Sequence, residues 1–162
     1  MKYFLILFFI CVTGAASYGQ TPSQTVPAFQ FYRFDKTTFT NKDLSKDKQL
    51  FFVFFDAGCE HCQKAVTYIG EHYSAFKDVS VYLLTMDGKD KTDQFMGKYG
   101  VKLKDKKNVT LLNDKNAEFI YKFKPRKYPS MFLYSKEKQL IAYEDNEESI
   151  FRFVNAISSN PK

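Results

Sequence analysis

The chain is 162 residues long, 44% hydrophobic and 18% aromatic, with a formal charge of +6 at neutral pH, which suits one domain with one substantial core. The basic excess is modest and spread along the chain, so it reads as a solvated surface rather than a nucleic-acid-binding face. No apolar run reaches the roughly 20 residues of a membrane-spanning helix.

The chain opens with Met1 and Lys2, continues almost wholly apolar from Tyr3 to Val12, and leaves through Gly14, Ala15, Ala16, Ser17 and Gly19. One basic residue, a short apolar core and a small-residue exit form the pattern of a secretory signal peptide. Residues 1–19 are therefore expected to be cleaved, with Ser17 and Gly19 as a small-x-small site and cutting after Ala15 or Ala16 as the alternative; membrane anchoring is the weaker reading. Cys11 lacks the small preceding residues of a lipid-modified cysteine. The exported, periplasmic chain then keeps Cys59 and Cys62 as its cysteines, in a compartment where disulfides persist, and its charge falls from +6 to +5 with the loss of Lys2. Nucleic acid is not an expected partner there.

Residues 20–27 carry Pro22 and Pro27 and read as an extended lead-in to a domain over residues 28–162. Phe29, Phe31 and Phe34 suggest a strand, with Thr37 to Phe39 as its hairpin partner. Leu50 to Phe55 is apolar without alternation, the pattern of a strand covered on both faces. Asp56, Ala57 and Gly58 break it. Ala65, Val66, Ile69, Tyr73 and Phe76 then recur at helical spacing, which places Cys59 at the first turn of a helix running to about Phe76, and Cys62 one turn further in.

Val79 to Thr85 is a second apolar strand, and the right-handed crossover makes it parallel to the first. Asp90 is expected to cap a helix through Phe95, Met96 and Tyr99, with Gly100 as its stop. Lys102 to Lys107 reads as a solvated loop, Val109 to Leu112 as a short strand, and Ala117 to Phe123 as a short helix ended by Pro125. Met131 to Tyr134 and Leu140 to Tyr143 suit an antiparallel hairpin. A final helix follows Asn146, with Glu147 and Glu148 in its first turn and Ile150, Phe151, Val154 and Ile157 on its buried face.

The Cys-x-x-Cys pair has three chemical readings. As a staple it is weak, since closing so small a ring constrains the unfolded chain by only about 2 kcal/mol before strain. As half a zinc site it needs two more ligands, and only His61 and His72 are on offer. Thiol–disulfide exchange requires an accessible attacking thiol and a second thiol within reach. The start of a helix supplies both, because its free N–H groups and dipole favour an anion. Cys59 is then the attacker and Cys62 the resolving thiol. Between them Glu60 and His61 oppose each other: a carboxylate disfavours a neighbouring thiolate and an imidazolium favours it. These four are the catalytic candidates; no metal and no cofactor is expected.

The strand–turn–CxxC–helix segment, followed by Tyr128-Pro129-Ser130-Met131-Phe132-Leu133 and a closing hairpin and helix, resembles the thioredoxin superfamily. Within it the match is to the exported TlpA- and ResA-like thiol–disulfide oxidoreductases, over roughly residues 28–158. The resemblance implies an α/β thioredoxin-like fold, with a central mixed sheet flanked by helices, an N-terminal strand extension and an insertion around Gly100 to Phe123. It also implies that Pro129 is cis and that Tyr128 offers backbone groups to an extended substrate.

The partners implied are protein or peptide thiols and disulfides, with a membrane electron donor to recharge a monomeric reductase; an oxidase of the DsbA type is the alternative. Two departures stand out. Gly58 replaces the tryptophan that precedes the first cysteine of thioredoxins, and Val53 replaces their buried aspartate, leaving Asp56 and Glu60 as substitute proton acceptors for Cys62. A peroxiredoxin-like peroxidase would carry threonine at the position of Asp56 and proline at that of Phe52. A Sco-like copper chaperone would carry three residues between its cysteines and a histidine beyond His72.

Overall fold

The computed structural model describes residues 20–159; the expected signal peptide lies outside them. In chain order the elements are β1 (Gln30–Tyr32), β2 (Thr38–Thr40), β3 (Leu50–Phe54), α1 (Glu60–Glu71), α2 (Tyr73–Phe76), β4 (Ser80–Thr85), α3 (Lys89–Lys98), β5 (Val109–Asn113), α4 (Glu118–Phe123), β6 (Ser130–Tyr134), β7 (Leu140–Glu144) and α5 (Ile150–Ser159). Short 3-10 turns at Asn41–Asp43 and Glu147–Ser149 precede β3 and α5.

The strands form one sheet in the order β2-β1-β5-β4-β3-β6-β7. β3 pairs parallel with β4, and β4 parallel with β5. The hairpin β6–β7 adds antiparallel on the other side of β3, and the hairpin β1–β2 adds antiparallel beyond β5. Because side chains alternate along a strand, β3 serves two cores. Phe51, Val53 and Phe55 pack with Cys62, Val66 and Ile69 of α1, Phe95 of α3 and Phe153 of α5. Leu50, Phe52 and Phe54 pack on the opposite face with Phe29, Phe31, Phe39, Phe119 and Phe123. The lead-in runs beside β7, where Leu140 N–H donates to the Gln24 carbonyl and Val26 N–H to the Lys138 carbonyl.

Several local readings are corrected. The cysteine helix does not run unbroken to Phe76: it ends at Glu71, where His72 turns its backbone out of helical geometry and its ring Nδ1 and N–H both bond the Tyr68 carbonyl, and a new turn begins at Tyr73. The cap of α3 is Gly88 rather than Asp90, which sits in the first turn. Phe34 lies in the hairpin turn instead of the strand. On α5 the buried aromatic is Phe153, and Phe151 is 54% exposed. Phe153 lies at i+3 from Ile150 on the core face, and Phe151 beside it is edge-on to His72.

Candidate functional site

The site lies where β3 ends and α1 begins. The turn between them is fastened at each residue. Cys59 N–H donates to the Asp56 carbonyl at 3.1 Å, and Gly58 N–H to the Asp56 carboxylate at 2.7 Å. Ala57 N–H donates to Asp87 Oδ2 at 2.8 Å. Lys91 of α3 joins the two acids, with Nζ 2.6 Å from Asp87 Oδ1 and 3.7 Å from Asp56 Oδ1. Burial alone would raise the Asp87 carboxyl, but the Lys91 bond, the Ala57 N–H and the Lys91 charge outweigh it and hold it below its ordinary value.

Cys59 is the N-cap of α1 and partly exposed, while Cys62 is buried one turn on; both are free thiols. Burial pushes the Cys62 thiol well above its ordinary value. A backbone hydrogen bond at Asp56 works against that shift, while hydrogen bonding to Cys59 and the charges of Cys59 and Asp56 add to it.

Of the residues between them, Glu60 is exposed in the first turn of α1. His61 is 63% exposed and points its Nδ1 at Glu147 Oε1, 2.8 Å away. That nitrogen is committed to the carboxylate.

The Tyr128–Pro129 peptide is cis. Ser130 pairs with Phe54 across β3 and β6, which sets Pro129 level with the cysteine-bearing turn. Ser130 Oγ donates to the Lys127 carbonyl at 2.7 Å and lies 2.9 Å from the Tyr143 hydroxyl, tying down the loop. The Tyr128 ring packs on Phe54 with centroids 4.7 Å apart. Its phenol is pushed up to about 12, first by burial and then by the charges of Asp56, Asp87, Cys62 and Asp114. Cys59, Cys62, Glu60, Tyr128 and Pro129 thus gather at one end of the sheet, and His61, between the two cysteines, directs its Nδ1 to Glu147 at the turn before α5.

Asp87 and Lys91 escaped the sequence reading, and so did the reach of Glu147 to His61 on α1. Met86-Asp87-Gly88 carries turn chemistry after a strand, but no local period shows that its carboxylate reaches the turn before Cys59. Among the described residues no three His, Cys, Asp or Glu side chains gather as a metal site, and no helix is long and apolar enough to cross a membrane.

Comparison with known proteins matches residues 22–143 to the AhpC/TSA family. The thiol-disulfide oxidoreductase ResA of Bacillus thuringiensis (strain Al Hakam) is 29% identical over 104 residues, 62% of this chain and 56% of the relative, so the match spans little more than half of that protein. The fold is thioredoxin-like. The peroxidoxin BcpB of Mycobacterium tuberculosis superposes with a TM-score of 0.70 at 14% identity, over 88% of this chain and 99% of that one. A secreted disulfide oxidoreductase of the same organism, homologous to DsbE of E. coli, gives 0.64 at 15% identity, over 82% and 96%.

Proposed function

We propose, for a chain that belongs to the AhpC/TSA family, that it is a thiol–disulfide oxidoreductase working by exchange between its Cys59–Cys62 pair and disulfides of proteins or peptides. The observation that carries this is the pairing of a partly exposed Cys59 at a helix start with a buried Cys62 one turn inside. The ResA relative is named for the same activity.

In the reducing direction the Cys59 thiolate attacks one sulfur of the substrate disulfide, forming a mixed disulfide, and the other substrate sulfur leaves as a thiolate that takes a proton. Cys62 then gives up its proton and attacks Cys59 Sγ. The Cys59–Cys62 disulfide forms, the second substrate thiol is released, and two electrons have passed to the substrate. Asp56 is the acceptor proposed for this proton, being the carboxylate whose charge acts on Cys62. Tyr128 and Pro129 line the approach and offer the backbone for an extended segment.

The direction proposed is reduction, because the carboxylates of Asp56 and Glu60 flank the pair and oppose thiolate formation. Export through residues 1–19, the lead-in at 20–27 and recharging by a membrane electron donor belong to the same proposal. The leader pattern and the secreted DsbE homologue support it. A peroxidase is the second reading, favoured by the peroxidoxin likeness; Asp56 and Phe52 stand where that chemistry calls for threonine and proline.

The test is turnover of insulin disulfide with dithiothreitol as donor. The wild-type chain is expected to catalyse it and Cys59→Ser to lose it; wild-type turnover in Cys59→Ser would overturn the assignment of the attacking thiol.

A further inference from the structure

Glu147 opens the 3-10 turn that precedes α5, and its side chain is 9% exposed. It reaches across to the first turns of α1, with Oε1 2.8 Å from His61 Nδ1 and 3.9 Å from Lys64 Nζ. These partners come from residues 86 apart in sequence for the histidine, and the histidine is the one between the two cysteines. A nearly buried carboxylate is retained in charged form only when it is paired. Burial would raise it, but the His61 bond, its own backbone N–H and the charges of His61 and Lys64 bring it below its ordinary value.

The other charged groups around the pair point elsewhere. Glu60 and Glu148 are exposed. Glu144 pairs with Arg152, and Asp145 with Arg126 and Lys127. Glu147 is thus the group that decides where the His61 ring lies and how much of its charge the cysteines feel.

We propose that Glu147 is a positioning residue for disulfide exchange: it fixes the His61 ring through Nδ1 and neutralises the imidazolium beside the cysteine pair. A free imidazolium in a Cys-x-His-Cys turn stabilises the thiolate and so favours the dithiol. With Glu147 in place that bias is cancelled, and the pair is more reducing than the motif alone would make it. The inference rests on the exchange reaction proposed above.

The experiment is equilibrium with glutathione at pH 6, where a free imidazole carries its proton. Two glutathione thiols give two electrons to the Cys59–Cys62 disulfide, yielding the protein dithiol and glutathione disulfide, and alkylation followed by intact mass counts the two forms. Glu147→Gln keeps the shape and removes the charge, and is expected to move the equilibrium toward the dithiol by about 3- to 10-fold. In a His61→Ala background the same substitution should move it by less than about twofold, because no imidazolium is left beside the cysteines for the carboxylate to neutralise.

A Glu147→Gln equilibrium equal to wild type, or a shift that survives His61→Ala, overturns the proposal. Thermal melting of each variant is read alongside: a lowered Tm with an unmoved equilibrium means that Glu147 only clasps α5 to α1, and also overturns it. If glutathione fails to interconvert the wild-type pair, the proposed function falls and this inference with it; if wild type interconverts and Glu147→Gln matches it, only the positioning role falls.

Discussion

Asp87, in the loop after β4, accepts the backbone N–H of Ala57 at 2.8 Å, so the strand next to β3 holds the turn that presents Cys59. Ala57 is itself 9% exposed, and a buried N–H left without a partner costs about 1–3 kcal/mol. Asp87→Ala is therefore expected to lower unfolding free energy by about that amount. It should also slow insulin reduction, because Cys59 loses its fixed approach. Urea unfolding and turnover measured on one preparation check both.

Two aspartates give opposite pH signatures. Asp87 is held below the ordinary carboxylate value of 3.8 despite burial, by Lys91 and the Ala57 N–H. Its contribution is present above that value and is lost as pH falls through its lower folded value. Asp114 is raised, burial outweighing the Phe119 and Glu118 N–H bonds that it accepts at the start of α4. Its charged form disfavours folding, so its contribution is full below 3.8 and declines as pH rises through its higher folded value. Urea midpoints measured between about pH 2.5 and 6 should show a weaker acid-side loss in Asp87→Asn than in wild type.

The phase of α5 separates two neighbouring phenylalanines. Phe153 is fully buried with its ring centroid 4.9 Å from that of Phe51, whereas Phe151 meets only the edge of His72 among the ring contacts seen. Phe153→Ala should cost about 3–5 kcal/mol, and Phe151→Ala at most about 1 kcal/mol. Equal losses in denaturant unfolding would mean that the helix presents the other face.

Gly100 is needed for close approach. A Cβ there would fall on the Met96 side chain, 2.6 Å from Sδ, and 3.3 Å from the Met96 Cα. Met96 is 4% exposed, so its side chain has little room to move. Gly100→Ala should destabilise by about 1–3 kcal/mol through overpacking, read as a lower urea midpoint with an unchanged slope. A stabilised variant would show that α3 can yield at its end.

The buried strand from Leu50 and the cysteine pair at a helix start were legible in the sequence, because an unbroken apolar run and a CxxC after a Gly-containing turn are local patterns. So was the strand after Pro129-Ser130, as an apolar run, whereas its cis proline was implied only by the family resemblance. Features set by distant contacts were not. His72 ends α1 with its own ring, a side-chain bond that helical periodicity does not register. Phe153, and not Phe151, is the buried aromatic of α5, at i+3 from Ile150 where the helical period places it. The Glu147–His61 and Asp87–Ala57 contacts join residues 86 and 30 apart, and no spacing rule reaches that far.

The central claim is that Cys59 attacks and Cys62 resolves. Cys62→Ser, mixed with a peptide disulfide and mapped by mass after acid quench, is expected to accumulate one mixed disulfide, on Cys59, because attack proceeds while release cannot. An adduct on Cys62 in Cys59→Ser, with none on Cys59 in Cys62→Ser, would contradict it.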